Sequence, residues 1–243
     1  MKNKNFFYQQ YEKIKWENQE KTKINSLVNN FIIKEIISKH KHSTIRIFDI
    51  GFGIGFFIKM LSNNLAKSFK EVTLAGCEPS DKNYNFFINK KPLIVKKNVE
   101  LKTYNNTFQD VQTDEKFDFV TAIYVFPHFS SEDLEKVAEK IYSMLNREGK
   151  FILVVANEKY LAEKLKDKRD LFIENNIIKL DGKEYKEVLH YSDIPQIGKL
   201  IDYNREEQYY LDLFKKKGLK LTLKKDLDDN GFICTVFVFE KSN

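Results

Sequence analysis

The chain has 243 residues, 42% hydrophobic and 14% aromatic, enough for one well-filled α/β core and short of two full domains. Its formal charge of +6 comes from lysines spread along the whole length among Glu, Asp and Asn, a pattern of solvated faces that disfavours a clustered nucleic-acid stripe. Cys77 and Cys234 sit in separate apolar runs without metal-ligand spacing, and no apolar run approaches the roughly 18 residues of a membrane span, so the expectation is a reduced, cytoplasmic, non-membrane protein.

Residues 4–20 are polar and aromatic and are expected to form a helix or lid. In residues 22–40, Ile24, Leu27, Val28, Phe31, Ile32, Ile36 and Ile37 fall at helical spacing and predict a helix with one buried stripe. Ile45–Ile50 is a β-branched run of strand type; Gly51, Gly53 and Gly55 follow, and residues 56–67 continue as a helix. The rhythm repeats with a strand at 72–78 and a helix at 80–90, capped by Ser80 with Asp81 in its first turn. A weaker strand lies at 98–104 and a strongly apolar one at 117–126. A helix over 130–149 opens on Ser-Glu-Asp and is expected to stop at Gly149, before a buried strand at 150–157. Apolar strands alternating with helices predict a parallel sheet covered on both faces.

After Asn157 the pattern changes. Residues 158–203 hold a charged helix and then alternating segments around Asp181-Gly182, a hairpin signal. An amphipathic helix over 205–218 stops at Gly218, and 219–227 and 232–240 form an antiparallel pair across Asp-Asp-Asn-Gly. No repeat, low-complexity linker or Pro-rich hinge divides the chain, so residues 1–243 are expected to be a single domain.

Three of the chain's nine glycines stand within five positions, directly behind Asp49. A glycine loop between strand and helix lets backbone approach a ligand that a Cβ would block, and it aims the helix N-terminus at that ligand. The dinucleotide fingerprint needs a glycine at position 56, where Phe56 stands. An acid two residues before the first glycine suits a cationic head group better than a pyrophosphate.

Asp49-Ile50-Gly51-Phe52-Gly53-Ile54-Gly55 resembles the first motif of the class I S-adenosylmethionine-dependent methyltransferases. The similarity extends to Glu78-Pro79 at the end of the second strand, to the stretch from Asn105 to Phe129, and to the step from Leu145 into the fifth strand. It covers about residues 21–157 and the closing pair at 219–240. The fold it implies is doubly wound, with a seven-stranded, mostly parallel sheet and a C-terminal antiparallel hairpin; residues 158–203 match no pattern of the family and are expected to form a cap insertion after the fifth strand. The division it implies is a lid at 1–20, a cofactor-binding core at 21–157, a substrate cap at 158–203, and a final helix and hairpin at 204–243.

The implied cofactor is S-adenosyl-L-methionine. By family position Asp49, Gly51, Gly53 and Gly55 cradle it, and Glu78, followed by Pro79, accepts from its ribose hydroxyls. Asn106, Thr107 and Phe108 flank the adenine, Ala122 and Tyr124 line the methionine end, and Tyr11, with Tyr8 and Trp16, closes over it. Methyl transfer to oxygen or nitrogen also needs a proton removed, for which His128 in Val-Phe-Pro-His-Phe is a candidate base, with His190 and Tyr191 as alternatives.

The fourth strand ends without an Asn/Asp-Pro-Pro-Tyr segment, there is no Pro-Cys nucleophile, and no spaced Asp/Asn cluster implies a metal. The expected acceptor is therefore a small molecule, with Tyr160, Phe172, Tyr185, His190, Tyr191 and Tyr203 available to line the cap. An RNA- or protein-directed methyltransferase and a non-catalytic partner subunit stand as alternatives. The sequence is silent on oligomeric state.

Overall fold

In the computed structural model, residues 23–194 and 198–242 are described. The expected lid, with Tyr8, Tyr11 and Trp16, lies outside them. Helix α1 (Lys23–Lys39) precedes the repeating units β1 (Thr44–Ile50), α2 (Phe56–Ser68), β2 (Glu71–Cys77), α3 (Asp81–Ile94), β3 (Val99–Tyr104), β4 (Phe117–Ile123), α4 (Ser131–Met144) and β5 (Leu145–Ala156). Between β5 and the next core helix come α5 (Glu158–Asp167), β6 (Phe172–Leu180), β7 (Lys183–Ile194) and β8 (Gly198–Arg205). Helix α6 (Glu207–Lys216), β9 (Leu219–Asp229) and β10 (Phe232–Lys241) follow.

Seven strands form the main sheet in the order β3-β2-β1-β4-β5-β10-β9. Strands β1 to β5 run parallel, and β10 enters antiparallel between β5 and β9. The parallel strands are nearly continuous runs of Ile, Val, Leu and Phe because both faces are covered. On one face Phe48, Val120, Phe151 and Phe237 pack with α4 and α6; on the other Ile47, Leu74, Ile152 and Val236 pack with α1 and α2. In register, Asp49 lies between Gly76 of β2 and Thr121 of β4, so the carboxyl ends of three strands open along one edge of the sheet.

Helix α3 starts as expected, with the Ser80 hydroxyl accepting from Asn83 N at 3.2 Å, but runs on to Ile94. Helix α4 stops earlier than expected. It ends at Met144, and Leu145 already pairs with Phe117 of β4, while Lys150 pairs with Phe119. The intervening residues bulge out, and Gly149 serves that bulge rather than a helix end: a Cβ there would lie 2.9 Å from Asn146 N. Strand pairing won over the local stop signal.

The Asp181-Gly182 hairpin forms, both residues having positive φ (50° and 79°), as a two-residue turn requires. A third strand, β8, follows without a strand signal of its own in the sequence. It pairs with β7 to give a second, three-stranded antiparallel sheet in the order β6-β7-β8. No described helix is long and apolar enough to cross a membrane.

The second sheet is fastened to the loop after β4 by a buried polar knot. Arg205 Nε lies 2.6 Å from Glu187 Oε2, and its guanidinium also donates to Phe129 O at 2.7 Å. Ser131 Oγ donates to Glu187 Oε2 at 2.7 Å. The Arg205 side chain has no solvent exposure, and the fork geometry of guanidinium satisfies several acceptors at once.

Candidate functional site

Where β1 ends, the chain makes three left-handed turns, at Gly51, Gly53 and Gly55 (φ 67°, 57° and 82°). The amides of Gly51 and Phe52 donate to Cys77 O at 2.9 and 3.1 Å, which stitches the loop to β2. The glycines are not equivalent. A Cβ on Gly53 would meet nothing within 4 Å, whereas one on Gly55 would sit 2.0 Å from Phe87 Cδ2. Gly53 keeps a space open; Gly55 lets α2 start against the Phe87 ring.

Glu78, at the tip of β2, is buried, and both of its oxygens are oriented by backbone. Oε2 accepts from Gly53 N at 2.8 Å and Oε1 from Ser80 N at 2.9 Å. Each carboxylate oxygen carries a second lone pair, so a carboxylate held this way accepts from vicinal donors in addition. Asp49 is equally buried and takes a hydrogen bond from Thr121 Oγ1 at 2.6 Å. Burial pushes its carboxyl up to about 7; the Thr121 hydrogen bond opposes this, and the charge of Glu78 adds to it. A cationic group beside Asp49 would reverse the shift.

These residues open into a cavity of about 740 Å³ whose other walls come from the loop after β4, from α5 and from the second sheet. Tyr124 lies on its wall with a left-handed backbone (φ 57°), a conformation that costs an L-residue roughly 1–2 kcal/mol, and its amide donates to Val154 O at 3.0 Å. Burial raises the Tyr124 hydroxyl well above its ordinary value, with the Cys234 thiol beside it.

Of the residues singled out from sequence, Asp49, Gly51, Gly53, Glu78, Pro79, Thr107, Phe108, Tyr124, His128, His190 and Tyr191 line this one cavity. Gly55, Asn106 and Ala122 do not. Gly55 is turned into the packing against Phe87. Asn106 falls between Asn105, whose side chain donates to Asp81, and Thr107, which does reach the wall. Ala122 points into the core beside Val120 and Leu153, leaving Ile123 and Tyr124 to face the opening. Among the aromatics of residues 158–203, Tyr160 and Tyr203 also line the cavity. Phe172 is exposed instead, and Tyr185 packs against Tyr209 with its hydroxyl donating to Asp212 at 2.6 Å.

Among the polar residues of the cavity wall that carry no signal in the sequence are Ser192, Asp202 and Lys164. His128 Nδ1 faces Asp202 Oδ1 at 3.1 Å, and Ser192 Oγ donates to Asp202 Oδ2. His190 sits directly across from Asp202 in the β7–β8 register. Burial lowers the His190 imidazole, nearby Asp202 opposes this, and Lys164 adds to the lowering. Nothing in the run Ile201-Asp202-Tyr203 marks the aspartate as special; only the folded pairing carries it to His128.

The model of a methyltransferase domain matches residues 17–193. No curated protein matches the chain. Among solved structures, it is similar to an S-adenosylmethionine-dependent methyltransferase from Clostridium acetobutylicum, at 16% identity over 88% of this chain and 91% of that one, with a TM-score of 0.59. It is likewise similar to the magnesium protoporphyrin IX methyltransferase of Synechocystis with bound SAH (S-adenosylhomocysteine), at 14% identity, 90% and 84% coverage and a TM-score of 0.63. The N-methyltransferase NodS from Bradyrhizobium japonicum, also in complex with S-adenosylhomocysteine, gives 10% identity, 94% and 92% coverage and a TM-score of 0.60. At such identities the likeness is one of fold.

Proposed function

The chain belongs to the methyltransferase-domain family, and from that premise we propose that it transfers a methyl group from S-adenosyl-L-methionine to an oxygen or nitrogen of a small molecule. One observation carries the reading: the residues suited to the donor and those suited to an acceptor line a single cavity, with Asp49, Gly53 and Glu78 on one side and His128, His190 and Tyr191 on the other. When bound, the cofactor supplies an electrophilic methyl group on a sulfonium. The residues present fit it. Gly53 offers backbone with open space above it, Glu78 offers two oriented acceptor oxygens, and buried Asp49 offers a carboxyl that a cationic head group would ionise.

Residues 158–203 act as the cap. Their inner face, with Tyr160, Tyr191 and Tyr203, covers the acceptor side, keeps water out and sets the acceptor's orientation, which is the main service a protein gives a direct group transfer. A concave cavity walled in part by this cap supports a small acceptor over a macromolecular one. Calorimetry with S-adenosylmethionine and S-adenosylhomocysteine tests the donor half of the reading: micromolar binding is expected, and absence of binding sinks it. Transfer of radiolabelled methyl to a low-molecular-weight fraction, rather than to RNA or protein, tests the acceptor half.

A further inference from the structure

We propose that Lys140, on α4 behind the cavity wall, is a positioning residue for the methyl donor, its ammonium group fastening residues 107–111 in their binding form before any ligand arrives. The proposal rests on the methyltransferase reading above, in which Thr107 and Phe108 flank the adenine, and adds to it a residue that acts only through others.

Residues 105–116 join β3 to β4, and within them Thr107, Phe108 and Gln109 reach the cavity. A 3₁₀ turn (Phe108–Asp110) orders this part locally: the Asp110 amide donates to Thr107 O at 3.1 Å, and Thr107 Oγ1 donates to Asp110 Oδ2 at 2.8 Å. A single turn of this kind has few and poorly aligned hydrogen bonds, and the carbonyls at its far end still need donors. Lys140 supplies them. Its Nζ donates to Phe108 O at 2.7 Å, to Gln109 O at 3.0 Å and to Val111 O at 2.6 Å. An ammonium group has three hydrogens and no acceptor, so the match is one to one, and bonds from an ionised donor are the stronger kind. The same Nζ lies 5.1 Å from the centroid of the Phe108 ring, which is itself buried against Phe48.

The helix brings Lys140 there from its core side. Val137 and Met144, one turn before and one turn after it, are both buried, so the stem of Lys140 runs along apolar surface and its head meets the carbonyls. Lys140 itself does not line the cavity. The loop is therefore gripped from behind, while Thr107, Phe108 and Gln109 form the wall in front. A loop ordered on folding loses no further conformational freedom on binding, and the affinity for its ligand is higher by the same amount.

The test uses the full chain and Lys140→Met, a side chain of similar length with an apolar stem and no donor. Affinity for S-adenosylhomocysteine, read by calorimetry, is expected to fall at least tenfold in the variant. Amide hydrogen exchange of the ligand-free chains, followed by NMR, shows where the effect lies. The Asp110 and Val111 amides are expected to be protected in the wild type and to exchange at least tenfold faster in Lys140→Met, while those of β1, β2 and the glycine loop exchange as before. A merely structural lysine would instead speed exchange across α4 and the main sheet together. Affinity unchanged in Lys140→Met, or loss of protection spread over the sheet, overturns the proposal. So does free exchange of Asp110 and Val111 in the wild type, a result that does not depend on any variant folding. Failure of the wild-type chain to bind S-adenosylhomocysteine overturns instead the reading beneath it.

Discussion

The ring of Phe87 fills the place that a side chain on Gly55 would need: a Cβ there would sit 2.0 Å from Cδ2 and 2.3 Å from Cε2. Phe87 is fully buried and packs at 4.8 Å on Phe52, so it has nowhere to move. Gly55→Ala therefore combines overpacking, about 1–3 kcal/mol, with a left-handed backbone cost of about 1–2 kcal/mol. A fall in thermal midpoint of several degrees is expected. Gly53→Ala carries only the backbone cost and is expected to lose cofactor affinity instead. Thermal denaturation and calorimetry on both variants separate the two roles; equal effects on stability would contradict the assignment.

Glu78→Ala removes the acceptor of the Gly53 and Ser80 amides as well as the proposed contact to the ribose. Cofactor affinity is expected to drop at least tenfold, about 1.4 kcal/mol or more. Unchanged affinity in calorimetry would place the cofactor elsewhere.

Asp49 is expected to make cofactor binding depend on pH. Its carboxyl titrates near 7 in the folded chain, above its ordinary value of 3.8, chiefly because it is buried. Without ligand, its contribution to stability is full below about 4 and is lost as pH rises through about 7, because the unfolded chain ionises the group more easily. A cationic ligand favours the ionised form, so binding below pH 7 must expel a proton. Affinity for S-adenosylmethionine is expected to rise with pH up to about 7 and then level off, and Asp49→Asn is expected to flatten that rise. A wild-type affinity constant between pH 5.5 and 7.5 would rule the linkage out.

Arg205 and Glu187 form a fully buried ion pair that ties the second sheet to the loop carrying His128. Removing one partner leaves an uncompensated charge, so Arg205→Leu is expected to destabilise the chain by about 3–5 kcal/mol, and the double change with Glu187→Leu by distinctly less. Chemical denaturation of the two single variants and the double one measures the coupling. A double variant as unstable as the sum of the singles would mean that each side chain acts alone.

Much of the main sheet is legible in the chain because its strands are buried on both faces and therefore spelled as continuous apolar runs, as in Ile45–Ile50 and Phe151–Val155. Local signals also mark Ser80 as a cap and Asp181-Gly182 as a turn. What failed were features settled by distant partners. Gly149 looks like a helix stop until Leu145 pairs with Phe117, and no local signal tells that Phe87 packs on Gly55. Asp202 is unremarkable until the β7–β8 register sets it beside His190 and against His128. Strand register depends on side-chain packing across the pair, which no local window contains.

The stretch between β5 and α6 leaves and rejoins the main sheet at nearly the same point: the Glu207 amide, just past its end, donates to Glu158 Oε2, at its start, over 3.0 Å. A detour whose ends touch can lengthen, shorten or be exchanged without altering the strands that flank it. Under the proposed function, a different acceptor could thus be taken up by rewriting one contiguous stretch of the gene, with the strands and glycine loop proposed to hold the donor left unchanged.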